Sequence, residues 1–195
     1  MGGLRPRDPV DIAGPRPLAG VVVRPLNFTV RRQMNSARDL GARFREAFAA
    51  DLASAPPMTL RQGDAIDSYG QEPPRDDAAD AATDAYLERY RHGLAHLDST
   101  SWRHYLPVLA DYAQRHLRRG TMVIDSLIMS LRPPDRDPPR LGSLSAVQEA
   151  AVRTLLELLA FSPESTWQTQ ACQALEEWWI EDPLHRPKAG RGDAV

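Results

Sequence analysis

His92 and His96 stand four residues apart, with His104 and His116 further along the chain. On a helix that spacing puts two imidazoles on one face, where they can share a transition metal. A zinc centre needs a third ligand and usually a fourth, which only tertiary folding could bring in from His104, His116, Asp98 or Asp111. The metalloprotease pattern is not met, because Gly93 and Leu94 rather than a Glu follow His92. Solvated or hydrogen-bonded histidines are therefore expected, with no metal and no cofactor. Nucleophilic chemistry finds as little support. Cys172 lies between Ala171 and Gln173 and reads as a small core residue. No Gly-x-Ser-x-Gly elbow occurs, and Ser126 and Ser130 sit in an apolar run where hydroxyls bond back to the preceding turn. The phosphate-cradling patterns G-x-x-x-x-G-K-[ST] and G-x-G-x-x-G are lacking too. Glu176 and Glu177 are consecutive, so on a helix they diverge and cannot flank one glycosidic bond. The expectation is a protein that is not an enzyme.

Binding has a better candidate in LEEWWIEDP, residues 175–183, where Glu176, Glu177, Glu181 and Asp182 surround Trp178 and Trp179. Neighbouring residues of a helix point about 100° apart, so one tryptophan facing the core leaves the other at the rim. A tryptophan ringed by charge is a common form of interface hot spot. In this reading Trp179 anchors a partner, while the four acids mimic an anionic substrate and steer association with a basic cleft. In the other reading both tryptophans pack internally against the N-terminal segment. The sequence leaves the two side by side.

The stretch SWRHYLPVLADYAQRHL, residues 101–117, concentrates aromatic and His side chains ahead of a proline. Pro107 is expected near the start of a helix, where its missing N–H costs little. Trp102, Tyr105, Leu106, Leu109 and Tyr112 would anchor that helix in the core. WRHYLPVLADY, then VIDSLIMSLRPPD, then LSAVQEAAVRTLLELL resembles a family of bacterial domains of unknown function. Its hallmark is an aromatic–x–Tyr–Tyr–Leu–Pro–Ala motif followed by a short helix, a Pro-rich turn and a Gln-containing helix. His104 stands where that family has Tyr, and Val108 where it has Ala. The resemblance covers residues 76–180 and implies a kind of domain, without an activity, cofactor or site to carry over.

All these residues need a helical frame. Residues 1–32, rich in Pro and Gly, read as an extended arm in which AGVVVRP can form one short strand. Met34, Ala37, Leu40, Phe44, Ala47, Phe48 and Leu52 recur at spacings of three and four and predict a helix over 33–53. Pro56 and Pro57 close it, and residues 54–75 read as an irregular connection. Asp76 or Asp77 is expected to cap a helix reaching Leu97. Further helices are expected over 101–119, stopped by Gly120, and over TMVIDSLIMSL, ended by Pro133 and Pro134. The turn RPPDRDPPR leads to a helix opened by a Ser145–Gln148 capping box, with Val147, Ala151, Leu155, Leu158 and Leu159 inward. The last helix is expected to start at Ser162 and Pro163 and to bury Trp167, Ala171, Leu175 and Trp178. The fold class is all-α: one compact domain of about six helices over 33–182, with a flexible tail over 183–195.

The 195 residues are enough for one such domain, and 26% charged residues with 42% apolar ones are ordinary for a globular chain. No apolar run reaches the length of a membrane span, and the N-terminus shows no secretory leader. A single cysteine excludes an internal disulfide framework and points to a reducing, cytoplasmic setting. Net charge is −2, so nucleic acid is not an expected partner. Residues 1–61 nevertheless hold ten Arg against five acids, making a basic arm on an acidic body. The function expected is a non-catalytic protein-binding module of the immunity type, occluding a cognate bacterial toxin. The alternatives are a metal-dependent or hydrolytic enzyme built on His92 and His96, or a scaffold subunit tied into an oligomer by its arm.

Overall fold

A computed structural model describes residues 40–181 and 183–186. The arm expected over 1–32, the strand expected at 21–23, residues 33–39 of the first expected helix and Asp182 lie outside the described residues. The rest is helical, with no strand among the described residues. Helix α1 runs over 40–47 and, after a turn at Phe48, over Ala49–Leu52. Leu40, Phe44 and Phe48 are its buried stripe, and the two phenylalanine rings stack with centroids 5.5 Å apart.

Residues 54–75, expected as a loop, contain helix α2, Leu60–Asp67. The Thr59 hydroxyl accepts the N–H of Gln62 at 3.2 Å, and the Gln62 side chain accepts the N–H of Thr59 at 2.8 Å. This capping box starts the helix, but only Leu60 and Gly63 of α2 are buried, so no apolar stripe marks it. Arg61 then grips Asp80 through two hydrogen bonds of 2.9 and 3.0 Å, tying down the chain that follows.

The single helix expected from Asp76 to Leu97 is divided. The Asp76 carboxylate caps only one turn, accepting from the N–H groups of Ala78 and Ala79. Thr83 caps the real helix, α3, Asp84–Arg89, and a 3₁₀ turn follows over Arg91–Ala95. That turn lies directly on α2. A Cβ on Gly93 would stand 2.0 Å from the Leu60 carbonyl oxygen, and one on Gly63 would stand 2.5 Å from the carbonyl oxygen of Gly93. Two glycines let backbone touch backbone here.

Helix α4, Ser99–His116, is the longest at 18 residues and is capped by Asp98. Pro107 falls in its middle rather than near its start, where it is buried and leaves the Arg103 carbonyl without a helical N–H partner. Trp102, Tyr105, Leu106, Leu109 and Tyr112 are all core residues, as expected. Trp102 donates to the Ser130 hydroxyl at 3.1 Å. His104 pairs with the Asp51 carbonyl at 2.9 Å, and the Asp51 carboxylate accepts from Arg103 and Gln148, each at 2.8 Å. The stretch 102–108 thus ties α4 to α1 and, through Asp51, to Gln148.

Helix α5, Met122–Ser130, buries Val123, Ile124, Leu127 and Ile128, and the following Leu131 is buried too, yet it leaves Met122 and Met129 exposed. Helix α6, Ala146–Phe161, opens with the expected capping box. Its buried face is turned from expectation: Val152 and Leu156 are inside, Val147 is exposed and Leu158 is only half-buried. Ser162 ends α6 instead of starting the next helix; α7 is Gln168–Ala174. Trp167 sets that start, since its indole N–H donates to the Arg119 carbonyl at 3.0 Å beyond the end of α4. Helix α6 packs on α7, and the buried residues join in one core. No described helix is long and apolar enough to cross a membrane.

Candidate functional site

The C-terminal acidic–aromatic stretch does not form an α-helical face. Leu175–Trp179 is a π turn, in which the Ile180 N–H reaches back to the Leu175 carbonyl at 3.2 Å. Both tryptophans go inside: Trp178 is 6% exposed and Trp179 only 2%. The Trp179 indole N–H donates to the Leu131 carbonyl at 2.8 Å, so Trp179, expected as a partner-binding anchor, packs as a core residue. Glu177, expected at the same contact, also turns inward. It is buried and takes both 2.7 Å hydrogen bonds of the Arg132 guanidinium. That guanidinium holds the Glu177 carboxyl below its ordinary range, and the charge-assisted fork satisfies both partners. Glu176 and Glu181 remain exposed, and Asp182 lies outside the described residues. The chain after them folds back, with Leu184 and His185 donating to the carbonyls of Glu176 and Glu177. Arg186 then bridges to Glu149 and lies over the Trp178 ring at 5.8 Å.

The histidines are dispersed. Because Arg91–Ala95 is a 3₁₀ turn with three residues per turn, residues four apart no longer share a face. His92 is exposed, whereas His96 meets the Asp67 carboxylate at 3.0 Å. His116 meets the Asp84 carboxylate at 2.9 Å. Among the described residues, no three His, Cys, Asp or Glu side chains gather at metal-binding spacing.

What the fold does assemble is a cleft of about 610 Å³ between the 3₁₀ turn, α5 and the proline-rich loop over 131–140. Asp135 shapes the loop side. Its Oδ1 accepts the N–H groups of Arg136, Arg140 and Leu141, and its Oδ2 accepts that of Gly142, all within 2.9 Å. This pins the loop and turns Arg140 inward, where it is 4% exposed and donates from Nη2 to the carbonyls of Ala95 and Leu97. Its Nε has no hydrogen-bond partner, and neither has the shielded Nε of Arg91, which donates from Nη1 to the Glu88 carbonyl at 2.8 Å. Burial, with the neighbouring Arg136 charge added, pushes the Arg140 guanidinium down to about 10. It stays cationic at neutral pH. Met122, Ser126 and Met129 form the α5 wall, and Pro133 and Pro134 form the loop wall. The other side of the loop borders a cleft of about 430 Å³, with Glu177, Trp178 and His185 in its lining.

The chemistry available in the larger cleft is that of fixed cationic donors beside a soft apolar wall. Its arginines stand in the stretch read as a spacer, RPPDRDPPR, and in a segment read as plain helix. Arginine density at the prolines was the only sign of them. Burial of Arg140 depends on carbonyls more than forty residues away.

Comparison with known proteins reaches only the level of family. No curated protein and no solved structure matches the chain. The profile of a family of unknown function, DUF6714, matches residues 36–183. That span begins well before the 76–180 of the sequence resemblance and takes in the described parts of α1 and all of α2. Covering most of the described residues, the match establishes that the chain belongs to the DUF6714 family, whose function is unknown.

Proposed function

We propose that this chain is a non-catalytic protein-binding module whose docking face is the cleft between the 3₁₀ turn, α5 and the 131–140 loop. The supporting observation is the outer face of α5. Met122 and Met129 are seven residues apart, about two helical turns, and are 54% and 55% exposed on the wall of one cleft. Methionine is flexible and polarizable, suited to a surface that moulds itself to a partner protein. Beside it, proline and arginine supply the rigid and polar contacts that such a surface needs. The partner class carried forward is a bacterial toxin inhibited by occlusion, with the contact moved from the C-terminal turn to this cleft. Occlusion asks for a fitted surface and no reacting group.

The test is site-specific photo-crosslinking in the cells that make the protein. A benzophenone amino acid replaces Ser126 inside the cleft or Glu157 on the exposed side of α6. A discrete protein adduct from position 126 that is not formed from position 157 is expected. Identical adducts from both positions, or none from 126, would contradict the proposal.

A further inference from the structure

We infer that Arg91 and Arg140 form a carboxylate-binding subsite in this cleft, and that it takes a Glu or Asp side chain of the docked protein. The inference rests on the cleft being the binding face. Its own basis is the unmet valence of two arginines. Arg61, Arg103, Arg115, Arg132 and Arg186 each meet a carboxylate at 2.6 to 2.9 Å. Arg91 and Arg140 donate instead to backbone carbonyls, which accept hydrogen bonds without neutralising charge. Both keep a shielded Nε–H unpartnered, and Arg140 is 4% exposed. Burial withdraws the Arg140 guanidinium from water, and Asp98 and Asp135 act on it through space without hydrogen-bonding it.

Two of the carboxylates nearby are otherwise engaged. Asp135 is filled by four backbone N–H groups and Asp67 is paired with His96. Asp125, on α5, lines the cleft as well. These acids decide the valence of the ligand. The lining holds Arg91, Arg132, Arg136 and Arg140 against three aspartates, and Arg132 is already taken by Glu177. A dianion such as phosphate meets repulsion from Asp125 and Asp135, whereas a single carboxylate matches the planar donor edge of a guanidinium. Its methylene stem has Met129 and Pro133 to lie on.

The test follows the arginine Nε–H resonances of the full chain by NMR during three titrations. These use a capped Ala-Glu-Ala peptide, its Ala-Gln-Ala counterpart, and inorganic phosphate. The Glu peptide should shift the Arg91 and Arg140 signals, with the Gln peptide about fivefold weaker or more. Arg91→Gln should weaken the Glu peptide to a similar degree with the melting temperature unchanged, and Asp125→Asn should tighten it. Arg140→Lys, which keeps a cation beside the Ala95 and Leu97 carbonyls, serves as the second variant. Equal response to Glu and Gln peptides would overturn the subsite, as would silence at both arginines. Stronger binding of phosphate than of the Glu peptide would overturn its assignment to a carboxylate. A position-126 crosslink with silent arginines sinks only the subsite, and arginine shifts without a crosslink sink only the protein-binding reading.

Discussion

Trp179 has the two properties of an interface anchor, a large ring and an N–H tip, and uses both inside its own chain. Trp179→Ala should therefore act on stability, at a cost of about 3–5 kcal/mol, read by urea denaturation. A loss under 1 kcal/mol would restore it as a surface residue. Glu177 makes a pH-dependent contribution. Its carboxyl lies below its unfolded value near 4.5 because Arg132 binds it. The resulting stability is fully present above that value and is lost as pH falls through the lower, folded one. Glu177→Gln should cost about 1–3 kcal/mol at pH 7. The gap to wild type should narrow as pH falls below about 4.5 and through the lower folded value, as followed by urea denaturation at each pH. A gap that widens on acidification would refute the pairing. Sequence spacing showed that Trp178 and Trp179 diverge on an ideal helix. It gave no sign of a π turn that admits both to the core, because that turn answers to the Leu131 carbonyl and to Arg132, more than forty residues away.

Helix α6 and helix α2 both open with a hydroxyl residue followed three places on by Gln, yet only α6 was legible. In α6 the capping box leads into a long apolar run, whereas α2 buries only Leu60 and Gly63 and leaves Ile66 exposed. What holds α2 is backbone contact with the 3₁₀ turn at Gly63 and Gly93, an interaction with no hydrophobic pattern to announce it. The same contact explains why the expected helix over 76–97 breaks up. Gly93→Ala and Gly63→Ala should each cost more than about 2 kcal/mol and expose the amides of α2 to hydrogen exchange. Gly120→Ala, with nothing within 4 Å of the added methyl, should stay within about 0.5 kcal/mol of wild type. Similar behaviour of all three variants would show that the close approach is not real. The 131–140 loop depends on one side chain in a comparable way. Asp135→Ala strands four backbone donors, so it should cost about 2–3 kcal/mol and loosen Arg140, visible as faster exchange of its Nε–H. Retained protection there would mean that the loop holds without Asp135.

At the scale of the whole molecule, the all-helical class and most of the core follow from apolar spacing along α1, α4, α5 and α7. The proposed binding face does not, because it is assembled from a 3₁₀ turn, the exposed side of α5 and a proline-rich loop whose meeting is a tertiary event. Two surfaces now compete as the docking face: the arginine cleft, and the acidic C-terminal turn that keeps Glu176 and Glu181 exposed. They carry opposite charge, so one measurement separates them. The equilibrium affinity for the partner captured through position 126 is compared for wild type, Met129→Asp and Glu181→Arg, each checked for unchanged melting temperature. Met129→Asp sets a negative charge and a lost apolar contact in the cleft and should weaken binding at least about tenfold. Glu181→Arg should leave the affinity within about twofold of wild type. Weakened binding by Glu181→Arg together with an unaffected Met129→Asp would contradict the account and return the docking face to the C-terminal turn.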